Sequence, residues 1–340
     1  MRLGSPIAID RLVPGNDDPG QPDAGEVLVR VRASSLNFHD YLVVTGQVPG
    51  VAAGLVPLSD GAGEVVEVGP PAEDAGIDPS LNLKVGDSVL GTFFPRWHDG
   101  APEPWKISTV TGEHVDGYAR EFAVVPAAAL TRSPQTLSFA EAATLPCAGL
   151  TAWRALQCCG GVRAGDVVMV QGTGGVSILA LQFAKALGAT VIATSSSQAK
   201  LERLRALGAD HVIDYKAESN WGRAAKAWTG GRGVNHVVEI GGADNLNQSI
   251  EACRIGGSIA LVGLLAGTLG RVATGRIMVR QIRLQGVVVG SRADQLAMVR
   301  AVEALGVRPL IDSSFPLHAL GAAFRYQTSG QHVGKIVVAI

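Results

Sequence analysis

The stretch that decides the fold is Asp166-Val-Val-Met-Val-Gln-Gly172-Thr-Gly174-Gly175-Val-Ser177. It joins an apolar run rich in β-branched residues to a cluster of glycines, and an Ala/Leu-rich segment follows over 176–187 and stops at Gly188. This order predicts a buried strand, a tight turn and a helix. Glycines at such a turn leave room for a pyrophosphate against the amide groups of the helix N-terminus. The stretch therefore predicts a dinucleotide site, and its contact residues are Gly172, Thr173, Gly174, Gly175 and Val176.

The residues after the second predicted strand, 190–194, indicate which dinucleotide binds. A NAD-binding unit places a carboxylate about 20 residues after the glycines, where it accepts bonds from the ribose 2′-OH. This chain has three serines there, at 195–197, followed by Lys200, and no acid. Hydroxyls and a lysine favour a 2′-phosphate, which a carboxylate would repel. We therefore predict NADP(H), bound by Ser195, Ser196 and Lys200, while one serine can also cap the next helix.

Composition narrows the class of protein. A length of 340 residues with 47% hydrophobic content predicts two domains, each with its own core. The 29 basic and 30 acidic residues nearly balance, which argues against nucleic acid or an anionic membrane as partner. The first residues lack a signal-peptide core, and no apolar run approaches the ~20 residues of a membrane span. Four cysteines in a chain of this length are typical of a reducing compartment, so we expect a cytoplasmic protein.

The chain order predicts an α/β protein built from two kinds of segment. Residues 1–125 contain short predicted strands and frequent turns, which indicate a small β-rich domain, and residues 308–340 return to it. The predicted strands there are 26–32, 63–69, 88–91 and 118–125, with a long loop at 95–117. Residues 126–307 alternate strand and helix, and their six predicted strands favour a parallel, doubly wound sheet. The last of these strands is 284–289.

The chain resembles the zinc-independent, quinone-oxidoreductase-like branch of the medium-chain dehydrogenase/reductase superfamily. The resemblance covers nearly the whole length, and it is carried by motifs at 37–40, 60–63, 85–87, 142–153, 171–176, 207–210 and 332–336. It implies a GroES-like catalytic domain, an inserted Rossmann domain and an active site in the cleft between them.

The resemblance also implies that zinc is absent. Metal-dependent members of the superfamily hold a catalytic zinc on Cys, His (beside Glu) and Cys. Here the first position is Asn37, the His-Glu pair is Ser59-Asp60, and only Cys147 remains. One thiolate cannot hold a zinc that needs three protein ligands, so we predict a protein without metal. We expect Cys147 to be a small buried residue and Cys158-Cys159 to pack in a helix.

The absence of a strong electrophile favours conjugate reduction. A hydride transferred from a nicotinamide leaves negative charge on its acceptor, and an isolated ketone concentrates that charge on one oxygen. We expect no zinc and find no Tyr-x-x-x-Lys pair to stabilise it. A quinone or an α,β-unsaturated carbonyl delocalises the charge, so we predict reduction of such substrates with NADPH. The alternatives are an NADP-dependent alcohol dehydrogenase or carbonyl reductase and a non-catalytic NADPH-binding protein.

The resemblance assigns roles to individual residues. Asn37 and Thr151 match positions at the nicotinamide, and His39 matches the position of a proton-relay hydroxyl, which makes it our candidate acid; a structural histidine is an equal alternative. Tyr41 is a weaker candidate acid, and we expect Asp60 to orient its neighbours. The remaining cofactor contacts that we expect are Tyr215, beside the 2′-phosphate, and Gly263, Leu264, Val289 and Gly290. The aromatic loop 93–98 could line the substrate pocket or pack on its own domain.

We also predict a homodimer. The predicted strand 284–289 is apolar and ends the Rossmann sheet, so an open edge there would invite aggregation. Relatives in this superfamily pair this strand across a two-fold axis.

Overall fold

The computed structural model describes residues 1–71 and 82–340, so the part of the predicted first domain at 72–81 lies outside the described residues. The contacts divide the chain into two compact units, one of 1–150 with 289–340 and one of 151–288. Segments 126–150 and 289–307 belong to the first unit because a strand at Leu130–Arg132 pairs with Ser88–Gly91 and a helix at Arg292–Leu305 packs on it. The division into folding domains stays a prediction.

The strands, in chain order, are β1 (Glu26–Ser35), β2 (Ala62–Val68), β3 (Ser88–Gly91), β4 (Phe122–Pro126), β5 (Leu130–Arg132), β6 (Val167–Gln171), β7 (Thr190–Ser195), β8 (His211–Asp214), β9 (Val234–Glu239), β10 (Cys253–Leu261), β11 (Arg283–Gly286), β12 (Ile311–Pro316) and β13 (Lys335–Ala339). The α-helices are α1 (Phe38–Val44), α2 (Pro104–Ile107), α3 (Phe139–Ala142), α4 (Leu150–Leu156), α5 (Gly175–Ala186), α6 (Gln198–Ala206), α7 (Trp221–Trp228), α8 (Ala243–Ala252), α9 (Thr274–Val279), α10 (Arg292–Leu305) and α11 (Leu320–Thr328). None of the described helices is long and apolar enough to span a membrane.

The first unit is built on a seven-stranded sheet in the order β12-β13-β1-β2-β3-β5, with β4 also paired to β1. The pair β12–β13 is parallel and the other pairs are antiparallel. Alternate residues of β1 are buried, as the sequence pattern predicted. The predicted strand 118–125 begins only at Phe122, because Tyr118 turns its ring into the core. A Cβ on Gly61 would lie 2.2 Å from that ring and one on Gly91 would lie 2.3 Å from the Tyr118 hydroxyl oxygen, so both positions require glycine.

The second unit contains a six-stranded parallel sheet in the order β11-β10-β9-β6-β7-β8, which confirms the predicted doubly wound Rossmann fold. All five residues of β6 are buried, as expected for the central region of a parallel sheet covered by helices. The helix predicted over 176–187 is α5, which runs from Gly175 to Ala186.

Two local predictions for the second unit were wrong. The strand predicted over 284–289 is β11, which is limited to Arg283–Gly286, since the next residues leave the ladder after one hydrogen bond from Val287 N to Leu261 O. The pair Cys158-Cys159 does not pack in a helix, because α4 ends at Leu156 and a turn follows with Gly161 at φ +65°. Cys158 is exposed and Cys159 is half-buried.

Candidate functional site

The turn between β6 and α5 forms an open cradle for an anion. Gly172 has φ +71°, and a Cβ on Gly174 would meet no atom within 4 Å. The Ser177 hydroxyl donates to the carbonyl of Gln171 at 2.6 Å and fixes the turn. Because α5 begins at Gly175, the amides of its first turn have no partner within the helix. These residues fit the pyrophosphate that the sequence predicted.

A buried carboxylate, Glu239 at the end of β9, organises the loops beside this cradle. Its side chain is fully buried, and Oε1 accepts from the backbone N–H of Gly241 at 2.6 Å and of Gly242 at 3.1 Å. Oε2 accepts from Nε2 of Gln171 at 2.9 Å and from the Ser249 hydroxyl. Glu239 therefore fastens the end of β6 to the loop after β9.

The predicted 2′-phosphate residues lie at or just after the ends of β7 and β8. Ser195 is buried at the end of β7, and its carbonyl accepts from Tyr215 N at 3.1 Å. The Tyr215 side chain is exposed, and Lys200 is half-buried in the first turn of α6. Ser197 precedes α6, yet its side chain makes no capping hydrogen bond. Capping of α6 therefore does not occupy the Ser197 hydroxyl.

The remaining predicted cofactor contacts lie in varied surroundings. Thr151 and Thr173 are buried. Gly263 follows β10, and a Cβ there would lie 2.4 Å from the carbonyl oxygen of Ile240. The neighbouring Leu264 is exposed, whereas Gly290 is buried. Val289 is buried with φ +44°, a left-handed conformation that is strained for a β-branched residue.

The first unit contains a buried polar cluster around Asn37. Nδ2 of Asn37 donates to Asp60 Oδ2 at 2.8 Å and to Ser59 Oγ at 3.3 Å, and Oδ1 accepts from Lys335 Nζ at 2.5 Å. Both amide hydrogens of Asn37 are thus used inside the protein. Asn37 thus links Ser59, Asp60 and Lys335 in one cluster, and its contact with a nicotinamide stays a prediction.

Asp60 lies at the centre of the same cluster with no exposed surface. Besides Asn37, it accepts from Ser35 Oγ at 2.5 Å, from the backbone N–H of Cys147 at 2.9 Å and from Lys335 Nζ at 3.3 Å. Lys335 is only 3% exposed and also donates to the carbonyl of Leu36 at 2.7 Å. The geometry agrees with the expectation that Asp60 orients its neighbours.

Asp40 fixes the start of α1. Its carboxylate accepts from the backbone N–H of Asn37 at 2.9 Å and of Ser59 at 2.8 Å. Burial raises the pKa of Asp40, and the charge of Asp60 adds to this, while His39 acts in the opposite direction. These bonds position Asn37 and His39 at the first turn of the helix.

His39 lies outside the Asn37 cluster and is bounded by one residue of the aromatic loop 93–98 and one of the long loop 95–117. Its Nε2 is 3.1 Å from Oε2 of Glu113, and the edge of Phe93 packs on its ring with centroids 5.1 Å apart. Phe93 and the other large aromatics of the loop, Phe94 and Trp97, are buried, so the loop packs on its own unit. Tyr41 is half-buried, and its ring packs against Phe38.

The residues at the zinc positions do not fit a metal ion. The amide of Asn37 and the carboxylate of Asp60 are already engaged in the hydrogen bonds given above, and the Lys335 ammonium is next to both. Cys147 keeps some surface exposure, yet burial raises the pKa of its thiol well above its usual range, and Asp60 adds to the effect. A neutral thiol is a poor zinc ligand. Within 1–71 and 82–340, no group of three His, Cys, Asp or Glu side chains could hold a metal.

Three residues of these clusters were missed by the sequence analysis: Lys335, Glu113 and Glu239. Lys335 is the charged residue in an otherwise apolar strand, Lys-Ile-Val-Val-Ala, and Glu239 ends the apolar run Val237-Val238. A single charged residue in an otherwise apolar, buried strand could have marked Lys335 and Glu239 as candidate site residues. Glu113 stands in the long loop between a glycine and a histidine, where no pattern marks it.

Comparison with known proteins agrees with this architecture. A family model described as an alcohol dehydrogenase GroES-like domain matches residues 23–135, and one described as a zinc-binding dehydrogenase matches residues 175–304. The chain is 40% identical over 343 residues to a zinc-type alcohol dehydrogenase-like protein of Schizosaccharomyces pombe, and the match covers 97% of this chain and 96% of that protein.

Two further relatives bear on the function. A solved NAD-dependent alcohol dehydrogenase is 32% identical, with a TM-score of 0.87 and 100% of each chain covered. An acryloyl-coenzyme A reductase of Sulfurisphaera tokodaii is 25% identical over 331 residues, with 94% of each chain covered. The fold and these matches define an oxidoreductase of the dehydrogenase class. The chain belongs to the medium-chain dehydrogenase/reductase superfamily.

Proposed function

We propose that this protein is an NADPH-dependent reductase of conjugated carbonyl compounds or quinones that works without a metal. The observation that carries the proposal is the hydrogen-bonded cluster of Asn37, Asp60 and Lys335 at the positions where relatives in the superfamily bind zinc. That cluster offers no Lewis acid to an isolated ketone oxygen. A conjugated acceptor spreads the negative charge and needs only hydrogen-bond donors or a weak acid. The name of the acryloyl-coenzyme A reductase relative is consistent with a conjugated substrate.

The cofactor is held by the second unit in this proposal. The cradle from Gly172 to Val176 receives the pyrophosphate, and Ser195, Ser196, Lys200 and Tyr215 surround the 2′-phosphate. NADPH, when bound, supplies a hydride. The NAD-dependent relative shows that the superfamily also uses the other cofactor. NADPH is favoured here because no acid follows β7 and the Ser197 side chain makes no capping bond.

His39 supplies the proton in this proposal. It is a titratable side chain at the first turn of α1, half-buried, and held between Glu113 and Phe93. His39→Ala should lower kcat by about 10²–10⁴-fold, the usual range of general acid catalysis. NADPH affinity should be unchanged, since the phosphate contacts belong to the other unit. A control variant is His318→Ala, which alters an exposed histidine of the same unit.

The experiment that tests the reaction is a panel of enones, quinones and simple ketones, followed by NADPH absorbance with purified protein. Faster reduction of enones or quinones than of ketones supports the proposal, and metal analysis should find no stoichiometric zinc. Activity on unactivated ketones alone would reject conjugate reduction. A loss of less than tenfold in His39→Ala would instead leave protonation to solvent.

A second candidate function is an alcohol dehydrogenase or carbonyl reductase. The names of the Schizosaccharomyces pombe relative and of the solved NAD-dependent relative favour it. The same panel distinguishes the two candidates, because an alcohol dehydrogenase oxidises simple alcohols and reduces simple ketones.

We further propose that the protein forms a homodimer through β11. All four residues of this edge strand are exposed in the single chain, and large apolar side chains lie exposed near it in sequence or register. These include Ile255, Met278, Val279, Leu284 and Val288. An open apolar edge is an aggregation hazard that strand pairing between two copies would remove. Light scattering at micromolar concentration tests this, and a monomer would overturn it.

A further inference from the structure

The carboxylate of Glu113 is enclosed against the imidazole of His39. Glu113 Oε2 lies 3.1 Å from His39 Nε2, and the Glu113 side chain is only 13% exposed. Its other oxygen lies 3.5 Å from Nδ1 of the more exposed His114. A carboxylate so enclosed needs a cationic or hydrogen-bonding partner. Among the described residues these two imidazoles fill that role, and no lysine or arginine forms an ion pair with Glu113.

The loop that carries Glu113 is fixed to the rest of its unit. Thr111 N donates to the carbonyl of Phe93 at 3.1 Å, and the Thr111 hydroxyl donates to the carbonyl of Thr92 at 3.0 Å. Gly112 has φ +80°, and a Cβ there would lie 2.9 Å from the carbonyl carbon of Leu58. The turn therefore packs closely on the segment before Ser59. The Phe93 ring and the Glu113 carboxylate, which both contact His39, therefore lie on two segments that are hydrogen-bonded to each other.

The two nitrogens of His39 have different surroundings. Nε2 is buried and lies 3.1 Å from Glu113 Oε2, an ion-pair distance without the alignment of a hydrogen bond, whereas Nδ1 takes no part in this contact. In Ser-His-Asp sites, a carboxylate against one imidazole nitrogen fixes the tautomer and orientation, so that the other nitrogen exchanges the proton. We propose that Glu113 is a positioning residue that holds the proton on His39 Nε2 and leaves Nδ1 as the proton-donating atom. This inference rests on the proposed function of His39.

The proton transfer balances as follows. The Nδ1–H bond of the imidazolium breaks, and a new C–H or O–H bond forms on the reduced substrate. The imidazole that remains is neutral and keeps its proton at Nε2 beside Glu113. Solvent then returns a proton to Nδ1. The other carboxylate that acts on His39 is Asp40, whose oxygens are bonded to the backbone of Asn37 and Ser59.

The first test is independent of activity. In a proton NMR spectrum of the full-length protein, an imidazole N–H shared with a carboxylate should give a far-downfield resonance. His39→Ala should remove it, which assigns it, and Glu113→Ala should remove it as well. The exposed Glu103 pairs with Lys106 instead, so Glu103→Gln should leave the resonance unchanged. Its absence in the wild type, or its persistence in Glu113→Ala, would overturn the proposal.

The second test is a double-mutant cycle in the enone or quinone assay. Glu113→Ala alone should lower kcat by about 10- to 100-fold, the range for loss of a charge-assisted contact. Glu113→Gln should lose less, because its amide oxygen still accepts from Nε2–H. In the His39→Ala background, Glu113→Ala should change kcat by less than about twofold. Equal losses of kcat in both backgrounds would mean that Glu113 acts independently of His39, as a general structural residue. If the wild type reduces no enone or quinone, the proposed function fails. The NMR resonance alone then decides whether Glu113 holds the proton on His39 Nε2.

Discussion

Among the described residues, the carboxylates of Asp60 in the first unit and Glu239 in the second have no exposed surface, and they are satisfied by different means. Asp60 in the first unit accepts from a buried ammonium, Lys335, as well as from neutral donors. Glu239 in the second unit accepts only from neutral donors, which are backbone amides, the side-chain amides of Gln171 and Asn245 and a hydroxyl. Asp60 is 275 residues from Lys335 along the chain, but Glu239 is only 2 and 3 residues from its amide donors. One carboxylate depends on the assembled fold and the other mostly on its own loop.

This difference has an energetic consequence. A buried charge that is paired with an opposite charge becomes costly when its partner is removed, because the remaining charge has no compensation. A buried charge that is held by several neutral donors loses only part of its stabilisation when one of them is removed. The first unit should therefore be the more fragile one towards loss of a single side chain.

Lys335→Met should give the largest effect, since it leaves the Asp60 carboxylate buried without a cation. The free energy of unfolding in urea should fall by about 3–5 kcal/mol. The double variant Lys335→Met/Asp60→Asn should recover a large part of the loss, because the uncompensated charge is then gone. A loss below about 1 kcal/mol, or no recovery in the double variant, would mean that the ammonium does not compensate Asp60.

Glu239→Gln should have a smaller effect. The introduced NH₂ group faces donors, so one or two of the hydrogen bonds to Gly241, Gly242 and Gln171 are lost, at a cost of about 1–3 kcal/mol in the free energy of unfolding. The loops around the cradle should loosen, and NADPH binding measured by fluorescence should weaken. A stability loss as large as that of Lys335→Met would contradict the distinction between the two carboxylates.

Lys200→Ala should affect cofactor binding and leave stability unchanged, because Lys200 is only half-buried whereas Lys335 is buried. NADPH binding should weaken by about 1–3 kcal/mol, the range of a charge-assisted contact, while NADH binding and the urea midpoint stay unchanged. Lys226→Ala, which alters a lysine in the last turn of α7, is the matched control and should change neither. Equal losses for the two cofactors would remove Lys200 from the phosphate site.

The thiol of Cys253 gives the smallest expected effect and tests how the second unit buries a neutral group. Burial raises the pKa of Cys253 to about 12. Because the folded thiol keeps its proton where the unfolded chain loses it, this stabilisation is complete below about pH 9 and is lost as the pH rises. Between pH 8 and 10, Cys253→Ala should lose on the order of 1 kcal/mol less stability than the wild type. Cys158→Ala, at an exposed position, should follow the wild type.

Much of the second unit could be predicted because its determinants are close together in sequence. The apolar run 167–170, the glycines at 172–175 and the helix after them specify β6, the turn and α5 through local propensity and backbone geometry. The serines at 195–197 follow directly from the same pattern. The prediction of this unit was wrong at the ends of elements, namely β11 and the turn at Cys158, where one or two hydrogen bonds decide whether an element continues.

The sequence by itself determined the fold class and the glycine turn between β6 and α5, and its resemblance to the family placed Asn37 and Ser59 at the positions of zinc ligands. Only the tertiary structure decided that the Asn37 amide is fully bonded, that Lys335 is next to Asp60 and that Glu113 faces His39. The physical reason is the range of the interactions. Backbone propensity and hydrophobic periodicity act over a few residues, whereas a buried charge selects its partner from any part of the chain that folding brings within a few ångströms.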